Sequence, residues 1–329
     1  MWRRRSEWAL GKLSRAQVAR RVTKGAEPMA DDGIRVAGLT KLYKAVRAVD
    51  DLSFDARPGR VTGFLGPNGA GKTTTLRMLL NLVRPTSGTA TIGGQRYADL
   101  TDPIRRVGAI LEASGAHRGR SGRNHLRMLC DAAGIPTGRA DEVLGLVGLT
   151  PAAGRKFKGY SLGMRQRLGI AAALLGDPDV LILDEPANGL DPEGIRWMRD
   201  LLKSLADQGR TVLVSSHLLS EMEILADDVV IIAAGKLVVQ GPVTSVIDSA
   251  GGAQMLVRTP KPEALIAELG ATVKVSESED GALHVVGADG PTIGAAAMRV
   301  GAEIHELTVE RPDLENVFLQ LTAGKADIR

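Results

Sequence analysis

A glycine-rich segment between an apolar run and a helix-forming stretch most constrains the fold of this chain. The run Arg60 to Leu65 leads into Gly66-Pro67-Asn68-Gly69-Ala70-Gly71-Lys72-Thr73, and Lys72 to Leu82 has the pattern of a helix. The segment fits G-x-x-x-x-G-K-[ST], in which glycines let consecutive backbone N–H groups point at phosphate oxygens. Lys72 is expected to reach terminal phosphates and Thr73 to bind Mg²⁺. The alternative is a structural glycine turn with a chance Lys-Thr, and the position between strand and helix disfavours it.

Two carboxylates follow a second strand-like segment. Val180 to Leu183 is apolar and of strand length, and Asp184 and Glu185 come directly after it. Ligands of open α/β sheets bind at the carboxyl ends of the strands, so these side chains are expected near the phosphate loop. Asp184 would hold Mg²⁺ directly or through water, and Glu185 would polarise an attacking water. An Asp-Glu pair is also common in surface turns, but the buried strand before it favours the site.

The order of the segments predicts an α/β fold followed by a small α+β domain. Strand and helix patterns alternate from Ile34 onward, as in a parallel sheet covered by helices. Residues 113–175 are interpreted as a helical insert, after which the sheet pattern resumes. A small, polar stretch around 241–252 marks a boundary. Residues 250–329 have a β-α-β-β-α-β order, which predicts a ferredoxin-like or related domain, and a last helix capped by Asp313.

The first 30 residues form a basic arm. Residues 1–28 contain eight of the 42 Lys and Arg and two of the 38 Asp and Glu, so the arm carries +6 and the remainder −2. The remainder is therefore not basic, and nucleic-acid binding gains no support from charge. Two explanations stay open for the arm: translation begins at Met29 and the arm is an artefact of start-site choice, or the arm is a solvated or lipid-contacting tail.

Apolar runs and cysteine content limit the compartment. The longest apolar stretches fall far short of the ~20 residues that a membrane-spanning helix needs. Cys130 is the single cysteine, which excludes an intramolecular disulfide and favours a reducing, cytosolic compartment.

A third segment gives a family resemblance. Tyr160-Ser161-Leu162-Gly163-Met164-Arg165-Gln166-Arg167 precedes an alanine- and leucine-rich helix, and alone it would be an ordinary helix start capped by Ser161. In order with the phosphate loop and the Asp-Glu pair, it resembles the signature motif of the ATP-binding cassette (ABC) family, usually Leu-Ser-Gly-Gly-Gln. The resemblance covers about residues 34–242. It implies a P-loop NTPase cassette over residues 31–242 that binds ATP with Mg²⁺.

The resemblance assigns roles to further residues. Tyr43 corresponds to the aromatic that stacks on adenine, His217 to the switch histidine at the γ-phosphate, and Asn188-Gly189-Leu190-Asp191 to a loop that communicates across a dimer. Catalytic roles fall to Glu185, His217 and Lys72. The nucleotide-contacting set is Tyr43, Gly66, Pro67, Asn68, Gly69, Ala70, Gly71, Lys72, Thr73, Thr74, Ser161 and Gly163. A packed strand-edge tyrosine and a surface histidine are the alternatives for Tyr43 and His217.

Two departures from the family pattern concern the site. Leu162 and Met164 replace the first Gly and the Gln of the usual signature, although Ser161 and Gly163 are kept. The family's glutamine between the two halves of the cassette has no counterpart, and Glu112 occupies its expected place. Glu112 is thus a third candidate Mg²⁺ ligand beside Thr73 and Asp184, or else an exposed loop residue; both interpretations stay open.

The signature form and the tail Asp313 to Phe318 resemble antibiotic-resistance exporter ATPases of daunorubicin or bacitracin type. That resemblance implies two ATPase copies, identical or homologous, and a separate integral-membrane permease that moves a small hydrophobic compound. The chain would then lie at the cytoplasmic face of the membrane. An arginine-rich segment, His117 to Arg127, lies where family members contact the membrane subunit, or is a solvated basic face. An importer ATPase and a soluble ABC protein acting on ribosomes or DNA are the alternatives.

Overall fold

The computed structural model describes residues 33–111, 115–249, 254–270, 273–278, 280–310 and 313–322. The basic arm and Glu112 lie outside these residues. Residues 33–249 are called the main body below. In the described segments, no helix combines the length and the hydropathy that crossing a membrane requires.

Three strands of the main body form an antiparallel sheet. They are β1 (Ile34–Tyr43), β2 (Val46–Ala56) and β4 (Ser87–Ile92), in the order β2-β1-β4. In β1, Ile34, Val36 and Leu39 are buried, whereas residues between them are exposed or half-buried. The sequence analysis placed this region in the alternating strand–helix pattern of a parallel sheet. The structure differs because an alternating strand has one apolar face, which suits an antiparallel sheet covered on one side.

The central sheet has six strands in the order β5-β6-β7-β3-β8-β9. They are β3 (Val61–Leu65), β5 (Val107–Ile110), β6 (Val180–Asp184), β7 (Thr211–Ser216), β8 (Asp228–Ala233) and β9 (Lys236–Pro242). All pairings are parallel except that of β8 with β9. All residues of β6, β7 and β8 are buried, as expected for parallel strands covered on both faces. The register pairs Asp184 with Ser215 and Leu65 with Ser216, so the carboxyl ends of β3, β6 and β7 meet.

Eight helices of the main body surround these sheets among the described residues. They are α1 (Lys72–Leu79), α2 (Pro103–Arg106), α3 (Gly122–Ala132), α4 (Arg139–Leu146), α5 (Leu162–Ala173), α6 (Pro192–Asp207), α7 (Leu219–Leu225) and α8 (Val243–Ser249). Helices α3, α4 and α5 pack on one another around Leu126, Val143 and Leu168. Ser121 caps α3, Ser161 caps α5 and Asp191 caps α6, each with a side-chain oxygen that accepts a backbone N–H of the first turn.

The C-terminal part contains a second, four-stranded sheet. Its elements are β10 (Gln254–Arg258), α9 (Pro262–Leu269), β11 (Lys274–Glu277), β12 (Leu283–Val286), α10 (Gly290–Val300) and β13 (Glu306–Glu310). The strands are antiparallel in the order β11-β12-β10-β13, and α9 and α10 supply Leu265 and Ile293 to their core. The predicted fold class, α/β with a small α+β part, is confirmed.

The last helix, α11 (Leu314–Thr322), leaves this sheet and joins the main body. Leu314 and Val317 are buried in the same hydrophobic core as Met222 of α7 and Val246 of α8. The backbone N–H of Leu314 also donates to the carboxylate of Glu223, at 2.9 Å. The expected intramolecular packing of this helix is therefore observed, on the main body and not on the C-terminal sheet.

Candidate active site

The glycine-rich segment forms a loop between β3 and α1. Gly69 and Gly71 have φ values of +81° and +101°, which favour glycine. A Cβ atom at Gly71 would lie 2.5 Å from the carbonyl oxygen of Ala48, so only glycine fits there. No side chain of the described residues caps the N-terminus of α1. The first N–H groups of this helix thus face an open cradle that suits a phosphate group.

Lys72 is buried and lies across the loop. Its Nζ donates to the carbonyl oxygens of Gly66, at 2.6 Å, and Pro67, at 3.3 Å. Burial lowers the pKa of the Lys72 ammonium, and the negative charges of Glu185 and Asp184 oppose that shift. The ammonium is therefore held inside the loop, beside two carboxylates.

Thr73 and Asp184 meet at the edge of the central sheet. The hydroxyl of Thr73 donates to Oδ2 of Asp184 at 2.8 Å, and the hydroxyl of Ser215 donates to Oδ1. Mg²⁺ prefers hard oxygen ligands and is usually held by one or two protein groups together with substrate phosphates. A hydroxyl and a carboxylate beside a phosphate cradle have the chemistry that this ion requires.

Glu185 lies next to the phosphate loop and contacts His217. Its φ of +51° is in the left-handed region, which residues other than glycine rarely adopt. Its backbone N–H donates to Oγ of Ser215, at 3.0 Å, and its Oε2 is 2.7 Å from Nδ1 of His217. His217 is half exposed, at 51% of its side-chain surface. The structure thus brings Lys72, Thr73, Asp184, Glu185 and His217 together.

Tyr43 lies at the end of β1, and its ring is exposed. The ammonium of Lys41 is 4.9 Å from the centre of that ring. Tyr43 is therefore an exposed residue at a strand end with a cation over its ring, and its stacking role stays a prediction.

Ser161 and Gly163 belong to a second group of residues, separate from the cluster around Lys72 and Asp184. The hydroxyl of Ser161 accepts the N–H of Met164 at 3.2 Å, and a Cβ atom at Gly163 would lie 2.9 Å from the carbonyl oxygen of Gly189. A cavity of about 300 Å³ is lined by residues 161–164, Arg167 and residues 189–191. The contacts of these residues are with the segment after Glu185, and the phosphate loop is not among the lining residues of the cavity.

Comparisons with known proteins agree with this arrangement. A model of the ABC transporter family matches residues 49–188, and a model described as a domain of unknown function matches residues 253–315. An uncharacterized ABC transporter ATP-binding protein of Bacillus subtilis, YhcH, is 40% identical over 293 residues, which cover 88% of this chain and 95% of that protein.

The chain belongs to the ABC transporter ATP-binding proteins.

The names of two relatives in this family specify the compounds with which they are associated. The bacitracin transport ATP-binding protein BcrA of Bacillus licheniformis is 47% identical over 64% of this chain and 69% of its own length. The daunorubicin/doxorubicin resistance ATP-binding protein DrrA of Streptomyces peucetius is 36% identical over 90% of this chain and 94% of its own length. The resemblance to bacitracin- and daunorubicin-type ATPases that the motifs predicted is confirmed.

Solved structures give the same family and fold. A structure of the ATP-binding subunit of an ABC transporter matches with a TM-score of 0.61 and 27% identity, over 66% of this chain and 92% of that one. A dimeric ATP-binding cassette in a post-hydrolysis state matches with a TM-score of 0.58 and 23% identity, over 64% of this chain and 98% of that one, which supports the fold. This ABC protein is therefore a nucleotide-binding ATPase subunit that works with a membrane permease.

The sequence analysis of the ABC subunit missed Ser215. That analysis named no role for this residue, yet it is fully buried and contacts both Asp184 and Glu185. In the sequence, Ser215 is one of three hydroxyl-bearing residues of β7, with Thr211 and Ser216, so its residue type did not single it out. Recognising it required the pairing of β6 with β7, which is a property of the fold.

Proposed function

We propose that this ABC ATPase works as a pair of cassettes that sandwich two Mg·ATP and drive export of a drug, an antibiotic or a similar hydrophobic compound. The membrane partner would be a separate permease, and the chain would lie at the cytoplasmic face of the membrane. The cluster of Lys72, Thr73, Asp184, Glu185 and His217 at the carboxyl ends of three adjacent strands is the observation that carries the proposal.

The residues of the cluster fit distinct tasks in ATP hydrolysis. The N–H groups of the loop and the Lys72 ammonium bind the phosphates, and their positive charge stabilises the charge that develops during transfer. Glu185 accepts hydrogen bonds through Oε2, so it can orient a water and take up its proton. His217 holds that carboxylate in place, and it is proposed to meet the terminal phosphate as well.

Thr73 and Asp184 are the proposed Mg²⁺ ligands. When bound, Mg²⁺ neutralises charge on the phosphate oxygens. Glu112 is proposed as a third ligand from its position in the sequence alone, since it lies outside the described residues.

A composite site is supported by the position of Ser161. Ser161 and Gly163 line a cavity together with residues 189–191, and no residue of the phosphate loop lines it. We infer that this cavity receives the terminal phosphate of a nucleotide bound by the other copy. The exposed side chain of Tyr43 is proposed to stack on adenine.

Export is supported by the relatives. BcrA and DrrA are named for bacitracin transport and for daunorubicin/doxorubicin resistance, and DrrA matches over most of both chains. The arginines of residues 118–127, which are exposed or half-buried, are proposed to contact the permease. Two of them, Arg123 and Arg127, already pair with Asp141, at 2.6 and 3.1 Å.

Transport direction can be measured with the chain and its membrane partner. Cells that express both are expected to accumulate less of a fluorescent anthracycline than cells that carry Lys72→Ala, in an ATP-dependent manner. An uptake activity that requires an external solute-binding protein would contradict export and favour an importer.

The composite site can be tested with two substitutions. Glu185→Gln keeps the phosphate contacts, so ATP binding should survive while hydrolysis falls by roughly 100-fold or more. The variant should then accumulate as an ATP-bound dimer in size-exclusion chromatography, and ADP should not support that dimer. Adding Ser161→Arg should abolish the dimer and leave ATP binding intact, because the cation fills the space meant for the opposite nucleotide.

Glu193→Gln in the first turn of α6 is the matched control and should behave as the wild type. A Glu185→Gln protein that stays monomeric in ATP with its membrane partner present would contradict the sandwich. A double variant that still dimerises would do the same.

A further inference from the structure

We propose that Ser215 is a positioning residue that holds the carboxylate of Asp184 and the backbone of Glu185 in one fixed arrangement. This inference rests on the proposed function, because it concerns the groups assigned there to Mg²⁺ and to the attacking water.

The hydrogen bonds of Ser215 have only one consistent direction. An ionised carboxylate can only accept and a backbone N–H can only donate, whereas a hydroxyl has one proton and two lone pairs. The proton of Ser215 therefore goes to Oδ1 of Asp184, and a lone pair of the same oxygen receives the N–H of Glu185 at 3.0 Å. One oxygen atom thus joins the two adjacent acidic residues.

The fold explains why this position can do so. Asp184 and Ser215 are paired in the parallel register of β6 and β7, and residues two positions earlier, Ile182 and Leu213, share one hydrophobic core. Side chains alternate along a strand, so Asp184 and Ser215 lie on the same face of the sheet. Ser215 is fully buried, so water does not compete for its hydroxyl.

The two hydrogen bonds of the Ser215 hydroxyl fix the Asp184 carboxylate and the Glu185 backbone, which the proposed reaction uses. Oδ2 of Asp184 accepts from Thr73, and with Oδ1 held by Ser215 the plane of the carboxylate is fixed. The backbone N–H of Glu185 also donates to the carbonyl oxygen of Ser215, at 3.2 Å. These contacts stabilise the left-handed conformation of Glu185, which costs about 1–2 kcal/mol for a residue with a side chain. Without the hydroxyl, the carboxylate and the Glu185 backbone are free to shift independently.

Three substitutions and one control test this role. Ser215→Ala removes the hydroxyl, Ser215→Thr keeps it, and Ser215→Cys keeps the volume with only a weak donor. Thr62→Val is the matched control: Thr62 lies buried in the adjacent strand β3, and its hydroxyl is a buried polar atom for which the described structure gives no hydrogen-bond partner. Thermal unfolding of each variant identifies any that fail to fold.

Hydrolysis and metal binding are both measured. For Ser215→Ala we expect kcat to fall about tenfold or more, the usual effect of removing a hydrogen bond that orients a metal-binding group. Mn²⁺ affinity in the presence of a non-hydrolysable ATP analogue, measured by electron paramagnetic resonance, should fall by a similar factor. Ser215→Thr should retain most of both properties, Ser215→Cys should be intermediate, and Thr62→Val should resemble the wild type.

Ser215→Ala values within about twofold of the wild type in both measurements would overturn the inference. An equal loss in Thr62→Val would also overturn it, since the effect would then come from the loss of any buried hydroxyl in this sheet. Glu185→Gln distinguishes a failure of the Ser215 inference from a failure of the proposed active site. If it abolishes hydrolysis while Ser215→Ala does not, only the role of Ser215 fails, whereas unchanged hydrolysis in Glu185→Gln means that the proposed site itself is wrong.

Discussion

Single residues of the phosphate loop are constrained by backbone geometry more than by side-chain chemistry. Gly69 and Gly71 share a positive φ, but their surroundings differ. A Cβ atom at Gly69 would meet nothing within 4 Å, whereas one at Gly71 would press on Ala48 and on Val49. Substituting Gly69 therefore measures the cost of a positive φ alone, whereas substituting Gly71 measures that cost together with the cost of a steric clash.

Gly69→Ala should lower the free energy of unfolding by about 1–2 kcal/mol, the cost of a left-handed residue. Gly71→Ala should add about 1–3 kcal/mol for the forced shift of the Ala48 backbone. Urea unfolding measures both, and binding of a fluorescent ATP analogue should be weakened more in Gly71→Ala. Equal destabilisation by the two substitutions would contradict the expected steric clash between a Cβ atom at position 71 and the Ala48 backbone.

Sequence reasoning was most successful at the residue scale. The motif around Lys72 and the strand before Asp184 specify local chemistry, and the structure brings those side chains together because both follow buried parallel strands. Ser215 and the Glu185–His217 contact could not be predicted in the same way, since they depend on which strands are neighbours. The catalytic, nucleotide-binding and metal-binding roles of all the candidate residues stay predictions.

At the scale of elements, the start of α5 and the segment before α6 are fitted to each other. The side chain of Leu162 lies directly over Gly189, where a Cβ atom would be 2.2 Å from the Cγ of Leu162. Leu162 replaces a glycine of the usual family signature, and its side chain makes this contact. Gly189 is four residues after Glu185, and the contact therefore links the signature segment to the loop that carries the proposed base.

Gly189→Ala should be more destabilising than Gly209→Ala by about 1–3 kcal/mol. Both glycines have positive φ values, +77° and +93°, but a Cβ atom at Gly209 would meet nothing within 4 Å. Adding Leu162→Ala to Gly189→Ala removes the two shortest contacts and should recover most of that difference. Denaturant unfolding of the three proteins measures it, and a double variant no more stable than Gly189→Ala would show that Leu162 is not the obstacle.

Predictions for whole elements were accurate where periodicity was strong. The helix predicted over Lys72 to Leu82 is observed over Lys72–Leu79, and the β-α-β-β-α-β order of the C-terminal part is found. The sheet to which β1, β2 and β4 belong could not be predicted, because an apolar pattern tells which face of a strand is covered and not which strand lies beside it. The domain limits stay a prediction.

At the scale of the molecule, α11 contributes to the stability of the main body. Leu314 is fully buried against residues of α7 and α8, whereas Leu319 on the same helix is exposed. Leu314→Ala should reduce the free energy of unfolding of the main body by about 2–5 kcal/mol. Leu319→Ala should change it by no more than about 0.5 kcal/mol.

Hydrogen exchange of β7 and β8 checks this expectation, since loss of the α11 contacts should lower protection there. If Leu314→Ala affected only amides of the C-terminal sheet, the two parts would be independent in stability.

The attachment of α11 also limits how the C-terminal sheet can move. The chain enters that sheet from α8 and leaves it into α11, and both helices are packed on the main body. The C-terminal sheet is therefore preceded and followed along the chain by helices that are anchored on the main body. Helix α11 packs on α7, which begins two residues after His217. A displacement of α11 would therefore act directly on α7, the helix that begins beside the residue proposed to meet the terminal phosphate.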